Sequence, residues 1–112
     1  MAARNTILLV QGDANVDIDV TLTDKSNGDA AIDLTSSDVV LYYRAADGTT
    51  LTATIACTKP SGGSDGLVRA TLPAACMSVS GPYEGEFEVT TGSKVQTVYD
   101  IQKFKVRDQI EV

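Results

Sequence analysis

Two cysteines, Cys57 and Cys76, are the only thiols in this 112-residue chain, and the chain has no histidine. Without imidazole the commonest general base and the commonest metal ligand are both missing, so Ser–His and Cys–His nucleophile systems are excluded. Two thiols without histidine cannot complete a zinc tetrahedron unless carboxylates or another subunit contribute. Each cysteine follows an alanine, Ala56 or Ala75. Both thiols are therefore expected to face inward, buried and reduced, since a cysteine pair without export is usually reduced, with a disulfide between them as the alternative. Carboxylates offer a second chemistry. Asp17 and Asp19 share one face of an alternating segment, and Glu84, Glu86 and Glu88 share a face of another. Were those segments neighbours, the cluster could hold Ca²⁺ or form a glycosidase-like pair. The simpler expectation is a set of solvated outer faces whose charge opposes aggregation. Gly62-Gly63-Ser64-Asp65-Gly66 lacks the lysine and helix of a phosphate loop and reads as a mobile linker-like turn. No enzyme, no cofactor and no metal are expected. Lys103, Lys105 and Arg107 form a basic stripe near the end of an acidic chain. It is either a solvated face or a patch that docks against a complementary one.

The elements that carry these residues alternate apolar and polar side chains with period two. Val16, Ile18, Val20 and Leu22 point one way, and Asp17, Asp19, Thr21 and Thr23 the other. Such alternation marks half-buried strands. Strands are expected over 6–10, 16–23, 39–44, 51–57, 67–72, 83–89 and 94–107, with a short extended piece at 31–34. Asn27-Gly28, Asp47-Gly48 and the 59–66 loop punctuate them. No segment sustains a 3.6-residue period, and Pro73-Ala74-Ala75-Cys76-Met77 suits one short helical turn. Seven to eight short strands with regular turns predict an all-β antiparallel sandwich. Its expected core is Val20, Leu22, Leu41, Ile55, Leu72, Phe87 and Val89. Tyr83 stands at the entry to the penultimate strand after a long connection, where immunoglobulin-like sandwiches place a tyrosine that bonds back to the preceding loop. Tyr42 and Tyr43 fall on opposite faces. In the last strand Val95, Thr97, Tyr99 and Ile101 share one face while Phe104 and Val106 fall on the other, which suggests a one-residue β-bulge near Gln102.

The length fits one domain, residues 1–112, with residues 1–5 as a flexible arm. Nine basic and fifteen acidic residues give a net charge of −6, which argues against nucleic acid and anionic membranes as partners. No apolar run approaches a membrane span or a secretory core, so the chain is expected to be made and kept in a cytoplasm, or assembled from there.

Several segments in order carry a resemblance. Gln11-Gly12-Asp13 follows a first apolar strand. Asp33-Leu34-Thr35 feeds a strand ending in Tyr42-Tyr43-Arg44 and an Asp47-Gly48 turn. Gly81, Tyr83, Gly85 and Glu86 open the penultimate strand. Together they resemble the N-terminal immunoglobulin-like domain of tailed-phage upper baseplate proteins, over roughly residues 7–106. The resemblance implies an immunoglobulin-like β-sandwich with no catalytic residues. It implies a structural protein of a tailed bacteriophage virion, a tail or baseplate component assembled in the bacterial cytoplasm. A capsid-decorating or connector subunit is the alternative within that class, and a carbohydrate-binding or adhesion module the alternative outside it. Partners are expected to be other virion proteins and further copies of the chain in a homo-oligomer, with no small-molecule substrate. The expected interface is Lys103, Phe104, Lys105, Val106 and Arg107, because residues from Gln102 onward outrun their hairpin partner. They must then pair with the first strand or with a neighbouring subunit.

Overall fold

A computed structural model describes residues 6–48 and 50–110. The expected arm at residues 1–5 lies outside the described residues. The fold is all-β: among the described residues there is no α-helix, only short 3-10 turns at Lys25–Asn27 and Ala74–Met77. Among the described residues ten strands are present rather than seven or eight: β1 (Ile7–Val10), β2 (Val16–Thr21), β3 (Thr23–Asp24), β4 (Ala30–Ala31), β5 (Asp38–Ala45), β6 (Ala53–Ala56), β7 (Leu67–Leu72), β8 (Gly81–Thr91), β9 (Lys94–Thr97) and β10 (Gln102–Arg107). The excess comes from the two-residue pair β3–β4 and from a break in the last strand.

A large sheet runs in the order β1-β10-β8-β5-β6, with β9 also on β8. A second sheet is β2-β7, and β3-β4 forms a third, small ladder. The inward side chains of both main sheets share one apolar cluster. It contains Leu22, Leu41, Ile55, Leu72, Phe87 and Val89 as expected, with Val20 half-buried against it. Tyr43, Phe104, Leu34, Val68 and Met77 are as deeply buried. Outward residues on β2 (Asp17, Asp19) and β8 (Glu84, Glu86, Glu88) therefore point away from that shared core on two different sheets and do not meet.

The last strand departs most from expectation. Thr97 lies opposite Glu88 and Gln102 opposite Gly85, so this segment takes five steps where β8 takes three. Two residues are inserted, not one, and an even insertion returns every later side chain to its original face. Hence Val98, Gln102, Phe104 and Val106 are all buried. Val95, Tyr99 and Ile101, whose apolar character suggested an inward face, are exposed. Strand β10 also has a neighbour on each edge. It is antiparallel to β8 on one side (Phe104 opposite Tyr83) and parallel to β1 on the other (Ile7 opposite Phe104).

Two loops are more fixed than their composition suggests. The glycine-rich turn is pinned, not slack: Gly66 accepts from the Leu22 amide at 2.8 Å and Gly63 from the Leu34 amide at 2.8 Å. At Gly66, φ is +78° and a Cβ would stand 2.7 Å from the Leu22 carbonyl oxygen, so only glycine fits. The crossover at 73–80 is held by four bonds. Tyr43 donates to the Cys76 carbonyl at 2.9 Å, Tyr83 to Val79 at 2.7 Å, Gln11 Nε2 to Ser78 at 3.2 Å and the Gly12 amide to Met77 at 2.9 Å.

Candidate interaction surface

The large sheet exposes one face to solvent. Alternation along β8 sends Glu84, Glu86 and Glu88 outward. The matching outward row on β9 and β10 is Val95, Thr97, Lys103, Lys105 and Arg107, continued through Ile101 in the connection. Lys103 stands opposite Glu84, and Leu8 of β1 lies beside Lys105. On the other side of β8, Arg44 binds Glu84 Oε1 through Nε at 3.1 Å and Nη2 at 2.9 Å. The Tyr42 hydroxyl donates to Glu88 at 3.0 Å, which raises its pKa above the ordinary tyrosine value. Tyr42 and Tyr43 do take opposite faces, Tyr43 being fully buried.

Charge on this face is segregated along the strands. The basic end is Lys103, Lys105 and Arg107; the acidic end is Glu86, Glu88 and Asp38, which lies opposite Thr90. Among the described residues no ion pair engages Lys103, Lys105 or Glu86. Apolar side chains border both ends: Leu8 is 77% exposed, Val95 62% and Ile101 41%. Tyr99, 79% exposed, stands beside the turn at residues 23–26. A shallow depression of about 140 Å³ lies between Leu51 and Ile101, walled by Tyr42, Arg44, Glu84 and Glu86.

Of the five residues expected to form an interface, the structure leaves three on the surface. Phe104 and Val106 are each 1% exposed and fill the chain's own core, so they are not available to a partner. Lys103, Lys105 and Arg107 are exposed. The apolar part of the surface is supplied instead by Leu8, Val95 and Ile101. A parity signal was available for two of these: Ile101 and Val95 share odd numbering with the charged Lys103, Lys105 and Arg107.

The other chemical candidates are dispersed. On the outer face of the second sheet, Arg69 makes two bonds to Asp19 at 2.8 and 3.0 Å, and Thr71 donates to Asp17 at 2.5 Å. The Arg69 bonds hold the Asp19 carboxyl below the usual aspartate range. Asp24 and Asp65 cap their own turns by accepting from the Ser26 and Leu67 amides. Among the described residues no three histidine, cysteine or carboxylate side chains converge as a metal site would require. Both thiols are unpaired; Cys76 is buried but Cys57 only half so, and burial pushes each up to about 11. A separate cavity of about 120 Å³ opens at the end of the sandwich beside Val20, Leu22, Phe87 and Val98. The ion pairs of Lys25 with Asp29 at 3.5 Å and with Asp100 at 3.4 Å lie along it.

Comparison with protein-family models and with curated proteins finds no match to this chain.

Proposed function

We propose that this chain is an immunoglobulin-like sandwich that serves as a structural subunit of a tailed-phage virion, a tail or baseplate component acting through protein–protein contact. Three features support the immunoglobulin-like arrangement. The sheet order β1-β10-β8-β5-β6 faces a β2-β7 pair. The first strand closes the edge parallel to the last. Tyr83, near the start of β8, bonds back to Val79 in the preceding connection, as the tyrosine corner of that fold does. The Gly81, Tyr83, Gly85, Glu86 element that carries the resemblance sits at this corner.

The observation that carries the contact role is the outer face of the large sheet, where Lys103, Lys105 and Glu86, which make no ion pair among the described residues, border exposed Leu8, Val95 and Ile101. Exposed apolar groups rimmed by charge mark protein interaction sites. The function needs no cofactor and no nucleic acid, and its site of action is the assembled particle. Antibody raised against the chain should label purified particles of the phage that encodes it. Label at the tail tip supports a baseplate part, and label over the head a decorating or connector part. Particles free of the chain by labelling and mass spectrometry overturn the reading. A carbohydrate-binding module is the second reading, favoured by one observation, the exposed Tyr99 ring beside the turn at residues 23–26. Binding on a glycan array that Tyr99→Ala abolishes would select it.

A further inference from the structure

We propose that the outer face of the large sheet pairs with the same face of a second copy about a two-fold axis that lies between the sheets and runs across the strands. The pairing rests on the contact role proposed above, but not on the virion assignment.

The argument starts from register. Gln102 and Gly85 are opposite one another on β10 and β8. From that rung Lys103, Lys105 and Arg107 lie one, three and five residues along in one direction. Glu86, Glu88 and Thr90 lie one, three and five residues along β8 in the other, and Asp38 is opposite Thr90. A half-turn about an axis at this rung reverses the strands. It sets Lys103 at the level of the partner's Glu86, Lys105 at that of the partner's Glu88, and Arg107 at that of the partner's Asp38. The lateral offset is one strand, about 5 Å, for the two lysine contacts, within reach of a lysine stem, and two strands, about 10 Å, for Arg107 and Asp38, which makes that contact the longest-range of the three. Each such contact occurs twice, because a two-fold interface is isologous.

The apolar residues obey the same operation. Leu8 lies beside Lys105 on β1, three levels from the axis. The half-turn carries it to the level of the partner's Thr97, one strand to the side and two residues from the partner's exposed Val95.

The segregation of charge selects the occupant. A partner of uniform charge would meet repulsion from one half of this face, whereas the face turned end for end meets its own complement. Arg44 and Glu84, near the axis, already neutralise one another and add no repulsion there. The third charged group at that level, Lys103, makes no ion pair among the described residues and can reach across. Because these charges are solvent-exposed, the pairing should weaken with salt.

Sedimentation velocity with the full chain tests this. The wild type is expected to be a dimer at low salt that shifts toward monomer at high salt. K105E/R107E and E86K/E88K should each be monomeric at low salt, with near-ultraviolet circular dichroism unchanged. An equimolar mixture of the two should recover a dimer, since each restores the other's complement across at least one half of the interface. Leu8→Asp should dissociate the wild-type dimer with all charges intact. A wild type that is monomeric at every concentration overturns the proposal, as does a dimer that survives both charge reversals, or folded variants that fail to recombine. None of these results depends on whether the chain is found in phage particles.

Discussion

Tyr43 and Tyr83 stack with ring centroids 5.0 Å apart and planes 16° from parallel, and their hydroxyls hold the same crossover at Cys76 and Val79. Phe104 meets the Tyr43 ring edge-on at 5.0 Å. The three rings come from β5, β8 and β10 and converge over Gly85, the residue opposite Tyr43. A Cβ on Gly85 would stand 2.7 Å from Leu41 Cδ1 and 2.9 Å from Phe104 Cε1. The missing side chain is what gives the rings their space.

Gly85→Ala is thus a contest between two effects. Removing a strand glycine restricts the unfolded chain and favours folding by about 0.4–1 kcal/mol. Overpacking a filled core costs about 1–3 kcal/mol. Packing should win because both contacts fall on buried side chains whose own neighbours are close. Urea unfolding should show a net loss of about 1–2 kcal/mol. A stabilised Gly85→Ala would mean that the ring cluster has slack that the structure does not show.

The two tyrosine hydroxyls should not be equivalent. Tyr43→Phe leaves the Cys76 carbonyl without its donor in the buried interior and should cost about 1–3 kcal/mol. Tyr83→Phe removes a bond near exposed Val79, where water can replace it, and should cost about 0.5–1.5 kcal/mol. In the double variant the losses should not add, since both bonds fix one crossover and the rings touch. Additivity in a double-mutant cycle would show that the two anchors act independently.

Much of the fold was legible because alternation and turn chemistry point the same way in most strands. Strand β7 falls at Leu67–Leu72 as read, and the cluster around Leu41, Phe87 and Val89 follows directly from period two. The error in the last strand has a specific cause. An insertion of two residues leaves the alternation unbroken, so no shift in pattern reveals it. Apolar Val95, Tyr99 and Ile101 then imitated an inward row. Their exposure is a property of the surface, and that is why the charged half of the candidate interface was readable and its apolar half was not. The glycine-rich turn misled for a different reason: composition reports flexibility of the free chain, whereas the Leu22 and Leu34 amides that pin it are distant in sequence.

Lys59 is a further anchor that pattern reading could not find. Its ammonium donates to the Leu34 carbonyl at 3.0 Å and the Ser37 carbonyl at 2.6 Å, tying the 59–66 loop to the entry of β5. Bonds to a charged donor contribute about 1.5–3 kcal/mol, and Lys59→Met keeps the stem while removing them. The loss should fall in the lower part of that range because the side chain is only partly buried. Hydrogen exchange at the Leu34 amide, which bonds to Gly63, should accelerate in step. Unchanged exchange there would make the lysine a passenger on a loop held by its backbone.

The thiols give an alkaline prediction. Cys57 and Cys76 titrate near 11 in the fold because burial disfavours the thiolate, against about 9 when exposed. A folded-state pKa that is raised stabilises the protein fully below the unfolded value and is lost as pH rises through the folded one. Stability should hold up to about pH 8.5 and decline between pH 9 and 11. Cys57→Ala/Cys76→Ala should flatten that decline. Native thiols should react slowly with maleimide at neutral pH, Cys57 ahead of fully buried Cys76. Prompt modification of Cys76 in folded protein would contradict its placement.

On the acid side the relevant groups are Asp19 and Asp33. Hydrogen bonds from Arg69 hold Asp19 below its ordinary value of 3.8, and the Thr35 hydroxyl and amide do the same for Asp33. The Thr35 bonds are 2.6 and 3.0 Å and close the turn that leads into β5. A depressed folded-state pKa stabilises the protein above the unfolded value, and that contribution is lost as pH falls through the folded one. Melting temperature should therefore be flat from neutral pH to about 5 and fall below 4. Asp33→Asn and Asp19→Asn each remove one titrating site, so each should be less stable than the wild type at neutral pH and show a shallower acid slope. Added salt separates them: it should narrow the neutral-pH deficit of Asp19→Asn, whose partner is a solvent-exposed charge. It should leave that of Asp33→Asn, whose partners are a neutral hydroxyl and a backbone amide. Equal salt responses would mean that the Asp19–Arg69 pair acts through its hydrogen bonds alone.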